Sequence, residues 1–183
     1  ERAPEIVSPD VLHEREIIRI LLHYGAVPAP WEPESIPIAP LLLSGLSDIT
    51  FEDAACAAII AIYKAHVGRG ELPEERFFVS HADRQIANLA VDLLATKYSL
   101  SPNWNDEKRK IYVSHESERL EELVYGAIYR IKKRKVEQQI GKLREAMKSE
   151  TDEDNLAIML ANYQKLKDVA KLIAEKLGTI VVK

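Results

Sequence analysis

The chain holds a single cysteine, Cys56, and only 7 glycines among 183 residues. One thiol cannot close an internal disulfide, and without a CxxC companion it offers no zinc-binding or dithiol pair. Cys56 lies in the small-residue run Ala54-Ala55-Cys56-Ala57-Ala58, which reads as packing surface rather than as a nucleophile's setting. Scarce glycine also removes phosphate cradles. The one close pair, Gly68-Arg69-Gly70, follows a helical pattern, and no Walker lysine comes after it. No GxSxG or HExxH is present, and the five histidines (His13, His23, His66, His81, His115) stand far apart. The longest apolar stretch, Ala54 to Tyr63, is ten residues, against the roughly 20 a membrane-spanning helix needs. No signal or transit pattern is visible either, so the chain reads as cytoplasmic, with no cofactor and no metal expected.

What is present points to helices. The sequence is 46% hydrophobic and 30% charged, the profile of a soluble, helix-rich protein. Residues 1–113 carry 17 acidic and 11 basic side chains, while residues 114–183 carry 12 and 14. That imbalance is too mild for a dedicated nucleic-acid binder. Glu116, Glu118, Glu121 and Glu122 read as a solvated face rather than an acid/base pair. The chain opens at Glu1 without a methionine, so it is read as a piece of something longer, with any catalytic machinery elsewhere.

Ser8-Pro9-Asp10 is a helix start, with apolar positions up to Leu22 and a stop at Gly25. Five of the nine prolines fall in 28–40 and predict an irregular connection, followed by a short apolar segment, Leu41–Leu46. Phe51 to about His66 predicts a helix buried on most sides. Pro73-Glu74 opens a short helical turn through Phe78, and Ser80 or His81 leads a helix to about Lys97. Residues 98–113 read as loop, with a turn at Ser101-Pro102-Asn103-Trp104 and a short extended piece at Lys110–Val113. Trp31 and Trp104 are read as cover for the core's edge. From Ser114 to Lys148 only Gly126 and Gly141 interrupt helical periodicity, and the helix is either continuous or hinged near 132–141. Thr151 is placed to cap a last helix that ends at Gly178, before the short tail Thr179–Val182.

The last helix carries a heptad seam: Leu156, Met159, Tyr163, Leu166, Ala170, Ile173 and Leu177, spaced 3-4-3-4-3-4. Val136, Ile140, Leu143 and Met147, spaced 4-3-4, offer a matching seam on the preceding arm. The two predict an antiparallel helical hairpin. Ile158, Leu160, Val169 and Leu172 lie off that seam, so the hairpin has apolar groups to spare. Such a unit is built to dock, which favours a binding module over an enzyme. The candidate partner-binding residues are those four with Gln164, Lys167 and Lys171 at the rim. The upstream half of the long helix (Leu120, Leu123, Val124, Ala127, Ile128, Ile131) presents a stripe to a helical bundle, towards which Tyr125 and Tyr129 also turn. The basic run Arg130, Lys132, Lys133, Arg134, Lys135 reads as a solvated coat on the helix. Were it a contact, an acidic protein would be favoured over nucleic acid.

Several segments together resemble the C-terminal helicase-interaction domain of bacterial DNA primase. They are Glu14–Gly25, Ile86–Leu94, Lys97–Trp104 with its Ser-x-x-Trp turn, the Ile131–Glu137 basic stretch, and Tyr163–Lys167 followed by Ala174–Gly178. The resemblance implies an all-α fold in two parts: a helical bundle at 1–130, similar to the helicase's own N-terminal domain, and a helicase-docking hairpin at 131–183. It implies a non-catalytic module that recruits primase to the replication fork and modulates the helicase. The nucleotidyltransferase domain that makes primers would lie upstream, outside this chain. The implied partner is the hexameric replicative helicase, with a single-stranded-DNA-binding protein as a second candidate. Neither a membrane nor direct nucleic-acid binding is implied. The alternatives are a nucleic-acid-binding domain using 130–135, a small-molecule enzyme, and a hairpin that associates with itself.

Overall fold

The computed structural model describes residues 8–95 and 116–178. They are all-α. The helices are α1 (Pro9–Tyr24), α2 (Ile38–Gly45), α3 (Ala54–Val67), α4 (Glu75–Val79), α5 (Arg84–Leu94), α6 (Leu120–Ser149) and α7 (Glu153–Lys176). A 3₁₀ turn, Glu116–Arg119, leads into α6. The expected turn at Ser101–Trp104, the extended piece at Lys110–Val113 and the tail at Thr179–Val182 lie outside the described residues. So does the whole Lys97–Trp104 segment of the resemblance. No helix among the described residues is long and apolar enough to cross a membrane. The chain divides into two compact units, Glu1–Tyr125 and Gly126–Lys183, a few residues upstream of the 130/131 boundary that the resemblance implies.

In the first unit α1 packs against α2, α3 and α5, α3 also meets α2, and α5 also meets α3 and α4. The Ser8 hydroxyl accepts the Val11 N–H, and Pro9 stands at the first helical position, as the cap pattern predicted. Ile17, Ile18, Ile20, Leu21, Ile38, Leu42, Ile59 and Phe78 are wholly or almost wholly buried. Each such side chain contributes about 1.5–3 kcal/mol through loss of contact with water. Phe78 stacks on Tyr63 at 5.1 Å, and the Tyr63 hydroxyl donates to the Leu21 carbonyl at 2.9 Å. This satisfies the one polar atom that aromatic pair brings inside.

The proline-rich segment is more ordered than an irregular connection. Ala29 N–H donates to Ile36 O, Ile38 N–H donates to Val27 O, and Pro28 and Pro37 form an isolated antiparallel bridge. Prolines have no N–H to extend the ladder, so it stops there. Pro40 sits in the first turn of α2, where a missing donor costs nothing. Gly25 is required where the segment begins. A Cβ there would stand 2.4 Å from the Leu21 carbonyl oxygen, while the Gly25 carbonyl accepts the Ala39 N–H.

α3 is covered on most sides, as expected: Cys56, Ile59, Ile60 and Tyr63 are buried, and only Ala54, Ala61, Lys64 and Ala65 are exposed. Two local expectations are corrected. α5 starts later than expected, capped by Asp83 rather than Ser80 or His81, and it ends at Leu94. α7 is capped by Asp152, not Thr151: its carboxylate accepts the N–H groups of Asp154 and Asn155. Glu150 accepts the N–H groups of both Thr151 and Asp152, which holds those two residues outside the helix.

The second unit consists of the rest of α6, a three-residue turn and α7. Over its 30 residues α6 runs unbroken through Gly126 and Gly141, about 45 Å long.

Candidate docking surface on the last helix

α7 sorts its side chains as the heptad pattern anticipates. Leu156, Met159, Tyr163, Leu166, Ala170 and Leu177 are partly buried and Ile173 is buried, joined only by Ala174. Every other residue from Thr151 to Gly178 is exposed. On α6 the predicted positions Val136, Ile140, Leu143 and Met147 are partly buried in the same way. These are the positions that a pairing of the two arms along their seams would cover.

The four off-seam residues stand in water. Ile158 is 60% exposed, Leu160 53%, Val169 42% and Leu172 62%. Exposed apolar side chains mark an interaction surface where they form one contiguous patch, and scattered singly they are ordinary. Gln164, Lys167 and Lys171 are exposed as well, and the Gln164 amide donates to Asp168 one turn on at 3.0 Å.

The seven do not share one face. With about 100° between successive residues, Ile158, Val169 and Leu172 fall together on one flank of the seam. Leu160, Gln164, Lys167 and Lys171 fall on the opposite flank. The first flank is the more apolar, and only Lys165, Ala161 and Asn162 stand among its three large side chains. The second is mostly cationic and amide. Sequence spacing alone named the residues, and the confirmed helix separates them into two surfaces.

The basic run does not lie open in water as expected. Arg130, Lys132, Lys133, Arg134 and Lys135 are all partly buried. Lys133 pairs with Glu137 at 3.9 Å, the Arg130 guanidinium lies back over Gly126, and Lys132, Arg134 and Lys135 are each engaged in an interaction. The upstream stripe of α6 is buried at Leu120, Val124, Ala127, Ile128 and Ile131. Tyr125 donates its hydroxyl to Glu32, which with burial pushes that phenol up to about 12.

Among the described residues of the first unit, several groups that could carry chemistry are already engaged or buried. Cys56 is fully buried, and burial, reinforced by the nearby Asp53 and Glu14 carboxylates, pushes its thiol up, away from the reactive thiolate. An open depression of about 410 Å³ is lined by Leu21, Leu22, His23, Tyr63, Glu74 and Arg76 among others. Its tyrosine is committed to a backbone carbonyl and its arginine to Glu74. No group of three or more His, Cys, Asp or Glu is placed to hold a metal among the described residues.

Two clusters escaped the sequence reading. Glu14 is wholly buried, and its two carboxylate oxygens accept the Glu52 and Asp53 N–H groups at 2.7 and 2.9 Å. Arg19 bonds both Glu16 and Glu116, and Tyr24 donates to Glu116 at 2.9 Å. Glu116 is thus a tether to α1 rather than one of a row of idle surface acids. The Arg19 and Tyr24 bonds lower its pKa, and the paired carboxylates raise that of Arg19.

No curated protein and no solved structure matches the sequence. A family match covers residues 2–181, nearly the whole chain. The chain therefore belongs to the family described as Domain of unknown function (DUF8430).

Proposed function

We propose that the chain is a non-catalytic docking module whose last helix binds the hexameric replicative helicase and so recruits a primase to the replication fork. The observation that carries the docking part is the exposure of Ile158, Val169 and Leu172 on one flank of a helix whose seam residues are buried or partly buried. An exposed helix face with anchors at such spacings suits a groove between partner helices. The choice of helicase as partner rests on the segment-by-segment resemblance to the primase domain.

Calorimetric titration of the chain against the replicative helicase of the same source tests the proposal. A version truncated after Ser149, which lacks α7, runs beside it. Binding by the whole chain and none by the truncation supports docking through α7. No binding by either, with both folded by circular dichroism, removes the helicase reading. Within α7, Val169→Asp or Leu172→Asp is expected to weaken binding by about 1–3 kcal/mol, or roughly 5- to 150-fold. Leu160→Asp, on the other flank, is expected to matter less.

A further inference from the structure

The exposed flank of α7 has an internal symmetry that docking on a different protein does not require. Asp154, Ile158, Ala161, Lys165, Val169, Leu172 and Lys176 are spaced 4-3-4-4-3-4. The mean is about 3.7 residues, close enough to the helical 3.6 that they form one nearly straight stripe. All seven are exposed. Counted outwards from Lys165, the stripe answers itself: Ala161 and Val169 at equal distance, then Ile158 and Leu172, then Asp154 and Lys176. Apolar matches apolar, and at the ends an acid matches a base.

We infer that this stripe is a self-association surface, on which α7 of a second copy of the chain lies antiparallel about a two-fold axis at Lys165. A two-fold contact requires that residue i meet residue j while j meets i, and these pairs meet that requirement. Ile158 of each copy lies against Leu172 of the other, and Asp154 of each lies against Lys176 of the other. The charges select the direction. A parallel arrangement would set Asp154 against Asp154 and Lys176 against Lys176, whereas the antiparallel one places unlike charges at both ends and opposes the two helix dipoles. The acidic start of α7, Asp152-Glu153-Asp154, adds to the same polarity.

Lys165 is the residue that limits the contact. On the axis it faces its own copy, and like charges there are unfavourable. Its stem can follow the apolar stripe while the ammonium reaches water, and Asp168 of the other copy lies within a turn of it. The contact is therefore reversible. It does not depend on the docking reading, but it would regulate it: the stripe offered to the helicase is hidden in the self-associated form.

The test is sedimentation velocity of the full chain alone, over a wide concentration range. The chain is expected to pass from monomer to dimer. Asp154→Lys and Lys176→Glu should each weaken the dimer roughly fivefold, since each removes two end pairs. The double variant should restore it. Those positions stand about 33 Å apart along one helix, so rescue can arise only between copies. Lys165→Leu should tighten the dimer roughly tenfold. The substituted side chains are all exposed, and circular dichroism verifies the fold. A chain that stays monomeric throughout, Lys165→Leu included, overturns the inference, and so does a dimer indifferent to the charge swaps. A monomeric chain that still binds the helicase sinks this inference alone and leaves the docking reading standing.

Discussion

Glu14 of α1, with no exposed surface, accepts the backbone N–H of Asp53 at 2.9 Å from 39 residues away in sequence. Its other oxygen takes the N–H of Glu52. Asp53 in turn caps α3 through the Ala55 and Cys56 N–H groups, and Arg15 pairs with it at 3.8 Å. One buried carboxylate thus fixes where the third helix begins against the first. A buried polar group persists when it is hydrogen-bonded, and here one amide N–H reaches each carboxyl oxygen.

Removing that acceptor leaves two part-buried backbone donors without their carboxylate partner. Glu14→Ala is expected to cost about 2–3 kcal/mol, and Glu14→Gln, which keeps one acceptor oxygen, distinctly less. Urea unfolding of the two variants beside the parent chain measures this. Equal losses for both would mean that shape at position 14 matters and the hydrogen bonds do not.

Glu116 sets a pH dependence. Its folded pKa lies below the ordinary 4.5 because Arg19 and then Tyr24 hold it as the carboxylate. A depressed acid contributes stability above its unfolded pKa and loses it as pH falls through the folded value. The contribution is therefore intact at neutral pH and disappears in the acid range. At 40% side-chain exposure water screens the pair, and the effect is small. Glu116→Gln should lower stability slightly at neutral pH and flatten the acid limb of a stability-against-pH curve, leaving its slope near pH 7 unchanged. An unaltered acid limb would remove Glu116 from the account.

The cap of α7 offers a cleaner comparison. Asp152→Ala should cost about 1 kcal/mol, while Thr151→Ala should change almost nothing. Thermal unfolding of both variants distinguishes them. A larger loss at Thr151 would restore the cap that the sequence alone suggests.

Why that cap was misplaced shows where sequence reading stops. Thr151 and Asp152 are both good cap residues, and propensity cannot choose between adjacent candidates. The choice falls to Glu150, whose carboxylate takes the N–H groups of both. The α7 seam, by contrast, was legible residue by residue, because burial on a long helix follows a fixed period and leaves a regular trace. The four off-seam apolar residues were legible for the same reason, whereas their division between two flanks needed the helix itself. Glu14 and the Arg19–Glu116 pair left no trace, since their partners come from 38 to 97 residues away. In sequence Glu14 resembles any helical surface acid.

If the exposed stripe of α7 serves both a second copy and the helicase, the two compete, and Lys165 controls the balance. Lys165→Leu tightens self-association, so less of the chain presents a free stripe. Apparent affinity falls in proportion to the binding-competent fraction. At concentrations where the variant is mostly dimeric, its apparent affinity for the helicase should drop by roughly the ratio of free fractions. Dilution well below the dimer's dissociation constant should abolish that deficit. Leu172→Asp should lose both contacts at every concentration, while Leu160→Asp should keep the dimer. Calorimetry at two chain concentrations, with sedimentation run on the same samples, reads all three variants. A Lys165→Leu deficit that persists on dilution would mean that the lysine meets the helicase directly and that self-association does not cause the deficit.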